Sequence, residues 1–194
     1  MKYAVVLLLG MSLMANRANA QEYPKSIFGV SAGLNVSNLV SVDEGVKVKM
    51  DSRVGFHIAG SYELLLMKNA PLYLETGLQL SQKGATAFTG HFKASFLFAE
   101  VPLMVNYKFS LPYGISVSPS LGAYYAYAFY GSGEMSQIME DPKVSDIGVR
   151  ASVTAQWHKI ALGIGYEHGI HAISDGEGDK SPLRNFFVSV GFKF

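Results

Sequence analysis

The sequence predicts an all-β chain folded as an eight-stranded, antiparallel, up-and-down transmembrane β-barrel. Three observations lead there. Of 194 residues, 49% are hydrophobic and only 16% charged, a balance too apolar for a disordered chain and low in charge for a water-soluble domain. No apolar run beyond residue 20 reaches the ~20 residues that a membrane-spanning helix needs. Large apolar residues alternate with small or polar ones in segment after segment, which is the period of a strand.

Composition also removes classes of function. Lys+Arg at 16 and Asp+Glu at 15 nearly cancel, so no basic field points to nucleic acid. The absence of Cys excludes a disulfide scaffold, cysteine zinc sites and thiol catalysis. It also excludes a lipid attached to a mature N-terminal Cys.

Residues 1–20 are expected to be a secretory signal peptide. Lys2 supplies the positive end, Ala4 to Met14 the apolar stretch, and Ala18-Asn19-Ala20 a small-x-small cleavage site. Residues 21–194 are then expected to form a single barrel domain.

Eight alternating segments follow. Ile27 to Ser37 sets Phe28, Val30, Leu34 and Val36 against Gly29, Ser31, Gly33 and Asn35. Arg53 to Leu64 sets Val54, Phe56, Ile58, Tyr62 and Leu64 against Arg53, Gly55, His57, Ser61 and Glu63. Leu72 to Gln82 opposes four leucines to Glu75, Gly77, Gln79 and Ser81. Leu97 to Phe109 opposes Val101, Leu103, Val105 and Tyr107 to Glu100, Asn106 and Lys108. Ile115 to Phe129 opposes Leu121, Tyr125 and Tyr127 to a series of serines and Gly122. Ser145 to Trp157 places Ile147, Val149 and Val153 opposite Asp146, Gly148 and Arg150. Ile160, Leu162, Ile164 and Tyr166 oppose Ala161, Gly163, Gly165 and Glu167. The last segment opposes Phe186, Val188, Val190, Phe192 and Phe194 to Ser189, Gly191 and Lys193, with Phe187 out of pattern. Most are near the ~9–11 residues that a tilted strand needs to cross a bilayer.

Connections alternate in length. Long ones are expected over Asn38 to Ser52, Lys83 to Phe96, Tyr130 to Val144 and His171 to Arg184. Short ones are expected over Met67 to Pro71, Ser110 to Gly114, and His158-Lys159. Long loops at one end and tight turns at the other mark outer-membrane barrels, and an even strand count puts both termini on the short-turn, periplasmic side.

The glycine-rich polar face is assigned to the crowded interior and the apolar face to lipid. The outward aromatics gather at the ends. Tyr62, Tyr107, Phe109, Trp157, Phe192 and Phe194 lie near the short turns, and Tyr127, Phe129, Tyr166 and Phe186 toward the long loops. Two such girdles flank an aliphatic band in bilayer-spanning barrels. A lipocalin-like barrel is the soluble alternative; it would need the glycine face in water and every large residue in the core. Pro102, facing in, and Pro119, facing out, each remove a ladder donor, so a bulge or lost pairing is expected near each.

Several motifs resemble a known family. Phe28-Gly29-Val30-Ser31-Ala32-Gly33-Leu34-Asn35, Gly55-Phe56-His57, Leu78-Gln79-Leu80-Ser81-Gln82-Lys83-Gly84, Glu100-Val101-Pro102-Leu103 and Val190-Gly191-Phe192-Lys193-Phe194 occur in the order seen in PorT-type outer-membrane β-barrel proteins. The resemblance implies an eight-stranded barrel in the outer membrane of gram-negative bacteria, often labelled porin-like, whose best-known branch serves a protein secretion system. Phe194 resembles the terminal signal read by the barrel assembly machinery.

Projected inward are Arg53, Glu63, Glu75, Glu100, Lys108, Arg150, Glu167 and Lys193. An eight-stranded interior is just filled by side chains, and enclosed charges must be paired. A salt-bridged plug is therefore expected, with a structural, adaptor or secretion-accessory role; a small-conductance porin is the alternative. If His158-Lys159 is a two-residue turn, Arg150 stands opposite Glu167, and Arg150→Ala should leave an interior carboxylate unpaired. Enzyme chemistry is not expected: a lipid-modifying barrel would need Ser, His and carboxylate in reach, and only His57 with Ser61 or Glu63, and His168 at the rim, offer candidates. Asp175-Gly176-Glu177-Gly178-Asp179 lacks EF-hand spacing, so no metal or other cofactor is expected. The expected partners are outer-membrane lipid and lipopolysaccharide, the assembly machinery during insertion, and a secretion-system or surface protein.

Overall fold

A computed structural model describes residues 23–43, 46–49, 51–87, 92–132, 145–173 and 183–194. The expected signal peptide with its Ala18 and Ala20 cleavage site, and the acidic stretch Asp175 to Asp179, lie outside the described residues.

In chain order the elements are β1 (Ser26–Asp43), β2 (Val46–Lys49), β3 (Asp51–Met67), β4 (Ala70–Ala87), β5 (Phe92–Tyr107), β6 (Phe109–Ser110), a 3₁₀ turn (Pro112–Gly114), β7 (Ile115–Ser132), β8 (Ser145–Trp157), β9 (Ile160–Ile173) and β10 (Leu183–Lys193). The sheet runs β10-β9-β8-β7-β5-β4-β3-β1 and closes through antiparallel pairing of β10 with β1. It is a closed eight-stranded antiparallel barrel, with β2 and β6 as short additions. Closure removes the open edges that an isolated sheet would expose.

The alternation settles which way the faces point. Leu34, Val54, Leu121 and Leu162 are each at least 60% exposed, while Glu100 and Glu167 are fully enclosed. Large apolar side chains cover the outside and polar ones fill the inside, which reverses the soluble-barrel arrangement and fits hydrocarbon as the surrounding solvent.

Both prolines coincide with gaps in the ladder. β4 and β5 pair at Thr76↔Leu103 and again at Gln79↔Glu100, with no pair between; there Thr76 Oγ1 donates to the Pro102 carbonyl at 2.9 Å. Pro119 stays in register with Val153 of β8. On its other side pairing lapses between Ser120↔Asn106 and Val117↔Phe109, where β5 ends and β6 begins. At this break the Lys108 amide donates to the Pro71 carbonyl at 2.9 Å.

The strands run further than alternation suggested, and all four expected long connections are corrected. β1 continues to Asp43 and folds back on β2, within the stretch expected to be the loop Asn38 to Ser52. Lys83 and Phe96, placed at the two ends of a loop, pair with each other across β4 and β5. Tyr130 is paired with Leu97, and His171 lies in β9. β1, β4 and β7 each have 18 residues, well beyond the ~9–11 that a bilayer crossing needs. Past the bilayer, neighbouring strands still satisfy backbone groups, so the ladder persists where lipid no longer selects apolar side chains. At the other end, turns are tight: His158 takes a φ of 54° in the two-residue turn between β8 and β9.

Candidate functional site

The interior is built from the polar residue of each alternating pair, because successive side chains of a strand point to opposite faces. The tight β8–β9 turn sets Trp157 opposite Ile160 and, counting back, Arg150 opposite Glu167. Arg150 Nη2 contacts a Glu167 oxygen directly and reaches Glu100 Oε2 at 3.0 Å. Lys83 Nζ lies 2.6 Å from Glu100 and 2.6 Å from Glu167. Two cations and two carboxylates thus form a closed, formally neutral quartet from β4, β5, β8 and β9. Asn185 of β10 donates to Glu167 at 2.8 Å, and Gln79 both donates to Glu100 and accepts from Arg150 at 3.2 Å. Rings close the sides. Lys83 Nζ sits 5.1 Å from the Tyr124 ring centre and the Arg150 guanidinium 5.2 Å from that of Phe187, in cation–π geometry.

A second layer lies toward the short turns. Glu63 contacts Lys193 and holds Lys108 Nζ at 2.8 Å; Lys108 in turn sits 4.9 Å from the Tyr73 ring centre. Glu75 accepts from Asn106 Nδ2 at 2.9 Å. A chamber of about 90 Å³ opens between the layers, with Gln79 and Arg150 on one side, Glu75 and Lys193 on the other, and Ser61, Ser152 and Ser189 in its wall. Arg53 faces inward on β3, in register with Ser37. The inward charges therefore sort into layers instead of one continuous chain.

This architecture, a closed barrel with a charged interior and an apolar exterior, agrees with sequence comparison. The family model described as outer membrane protein beta-barrel domain matches residues 19–194. The chain belongs to the outer membrane protein β-barrel family. Solved structures with the same fold include the outer membrane protein OprG from Pseudomonas aeruginosa, with a TM-score of 0.51, 12% identity, and coverage of 91% of this chain and 99% of that one. Neisserial surface protein A is also similar, with a TM-score of 0.50, 14% identity, and coverage of 86% and 97%. Among curated proteins none matches the chain in sequence.

On the outside of this outer-membrane barrel, the aromatic residues singled out above all point away from the lumen. At the short-turn end, Phe28 packs on Tyr62 at 4.9 Å between ring centres, Tyr107 on Phe109 at 4.7 Å, and Phe192 on Phe194 at 6.3 Å. Trp157 closes the same end of β8. Toward the other end stand Tyr127, Phe129 and Phe186; Tyr166 pairs with Phe186 but lies midway along β9.

Inside, glycines make room for the layers. A Cβ on Gly165 would lie 2.3 Å from the Phe187 ring, and one on Gly148 would lie 2.7 Å from the Tyr124 hydroxyl. Phe187 breaks the outward-apolar pattern because its ring occupies the space that Gly165 leaves open beside Arg150.

Sequence reasoning missed Lys83, the most enclosed cation of the upper layer, because it stood where a loop was expected. It also missed the Tyr124–Asp146 pair, in which the tyrosine hydroxyl donates to the carboxylate at 2.7 Å. Asp146 Oδ1 has no partner among the described residues. Tyr124→Phe is expected to leave this enclosed carboxylate without its donor and to lower stability by about 1–3 kcal/mol, measurable as a lower urea midpoint in detergent. The candidate acyl-transfer residues are not assembled. His57 Nδ1 bonds Asn35 Oδ1 at 2.8 Å, and Glu63 is held by two lysines.

Proposed function

We propose that the protein is a structural, non-conducting barrel whose role is to hold its longer connections at the cell surface as a platform for a secretion-system or surface-protein partner, as the PorT-type resemblance suggests. In this reading the short turns and both termini face the periplasm. The carrying observation is the neutral quartet of Lys83, Glu100, Arg150 and Glu167, whose charges are spent on one another. An ion passing through would have to separate pairs that are enclosed from solvent, at a cost of several kcal/mol per broken partner.

Planar-bilayer recording tests the plug: the protein should add no steady conductance. Steady unitary currents would favour the small-conductance porin, for which the 90 Å³ chamber is the supporting feature. Orientation is tested separately. A membrane-impermeant maleimide should label Glu177→Cys in intact cells and fail to label Lys68→Cys in the β3–β4 turn. Crosslinking from the long connections would then capture the partner.

A further inference from the structure

We infer that the outward row Arg184–His168 is a docking site for the phosphorylated head of an outer-leaflet glycolipid of the lipid A type. The inference rests on the orientation proposed above. Within the barrel strands, among the side chains that the structure describes, Arg184 is the one charged residue on the lipid-facing wall. It pairs in register with His168 of β9 on one side and Asn38 of β1 on the other. Arg184 has no hydrogen-bond or ion-pair partner among the described residues. His168 is held against the Tyr166 ring, with centres 6.4 Å apart and planes 23° from parallel.

Directly toward the membrane the surface becomes entirely apolar. The next outward residues on the same strands are Val36, Phe186 and Tyr166, paired with one another in register, followed by Leu34, Val188 and Ile164, all exposed. A charged arginine beside hydrocarbon is unfavourable at the bilayer centre and tolerated only near the interface, so this row marks the head-group boundary. Guanidinium matches phosphate in a two-pronged hydrogen-bonding geometry, and the imidazole N–H of His168 beside it adds a second donor. Acyl chains extending from the same head group would lie along the apolar rows below. Bulk phospholipid offers one phosphate; a phosphorylated glycolipid offers phosphate on a rigid sugar whose several chains can cover adjacent strands.

The test uses the full protein, folded in zwitterionic detergent and titrated with bisphosphorylated lipid A, with dephosphorylated lipid A carrying the same chains, and with phosphatidylglycerol. Retention of compact gel mobility on heating is the readout. Bisphosphorylated lipid A should raise the midpoint more than either comparison lipid. Arg184→Gln should weaken its apparent affinity roughly tenfold, the scale of one charge-assisted contact, with His168→Gln weaker in effect and Arg184→Lys intermediate. Lys159→Gln, at the opposite rim, should leave it unchanged. Equal protection by dephosphorylated lipid A, or full affinity in Arg184→Gln, would overturn the site. So would a tenfold gain in affinity on neutralising Asp175, Glu177 and Asp179, since these carboxylates would then be the true occupants. None of these readouts depends on conductance or on labelling in cells, so the docking site and the platform role fail independently.

Discussion

Replacing Glu167 with alanine is expected to be the most damaging single change in the interior, lowering the unfolding free energy by about 3–5 kcal/mol. Glu167 is the acceptor for Lys83, Arg150 and Asn185 together. Its loss leaves two enclosed cations facing the one remaining carboxylate, Glu100. Arg150→Ala creates the mirror-image imbalance and should cost a similar amount. The cause is uncompensated charge, and it can be separated from simple loss of contacts. Lys83→Met combined with Glu167→Gln keeps one cation and one carboxylate, so the double variant should be more stable than the sum of its parts, with a coupling within the 0.5–3 kcal/mol range of contacting residues. Urea unfolding of the four proteins in one detergent measures it. Strict additivity would show that the quartet does not act as a unit.

The second large effect concerns barrel closure. A Cβ on Gly33 would fall 2.0 Å from the Val188 carbonyl oxygen and 2.5 Å from His57 Cε1. The His57 ring can turn aside, but the carbonyl belongs to β10, which pairs with β1 to close the barrel. Gly33→Ala must therefore move backbone at the closing seam, and a loss of about 1–3 kcal/mol is expected from overpacking. A reduced yield of folded, heat-resistant protein should accompany it. Gly60 is the control. It lies on the outward face with no atom within 4 Å of its would-be Cβ, so Gly60→Ala should be neutral or stabilising by about 0.5–1 kcal/mol. If both variants behave alike, close approach at the seam is not what selects glycine there.

Much of this organisation is legible in the amino-acid order because one physical rule covers it: in a wall one residue thick, neighbours face opposite solvents. That rule places Glu63, Glu100, Arg150 and Glu167 inside without coordinates, and the two-residue turn at His158-Lys159 fixes the Arg150–Glu167 pairing by counting. The rule fails in two places. Past Leu80 no large apolar residue alternates with the polar ones in Ser81-Gln82-Lys83-Gly84, so the strand reads as ending at Gln82 and Lys83 is lost to the expected loop although its side chain is buried. Inside the lumen, partners are set by the tilt and stagger of all the strands together. Glu63 and Lys193, 130 positions apart, meet from the two strands that flank β1, and no local spacing could announce it.

The quartet draws its members from four separate strands, with Lys83 and Glu167 lying 84 positions apart. A half-curled sheet cannot assemble it, and would instead offer bare ammonium and carboxylate groups to hydrocarbon. Curling and entry into the bilayer are thus bound to proceed in concert, and any intermediate stalled between them is held in check by its own unmatched ions.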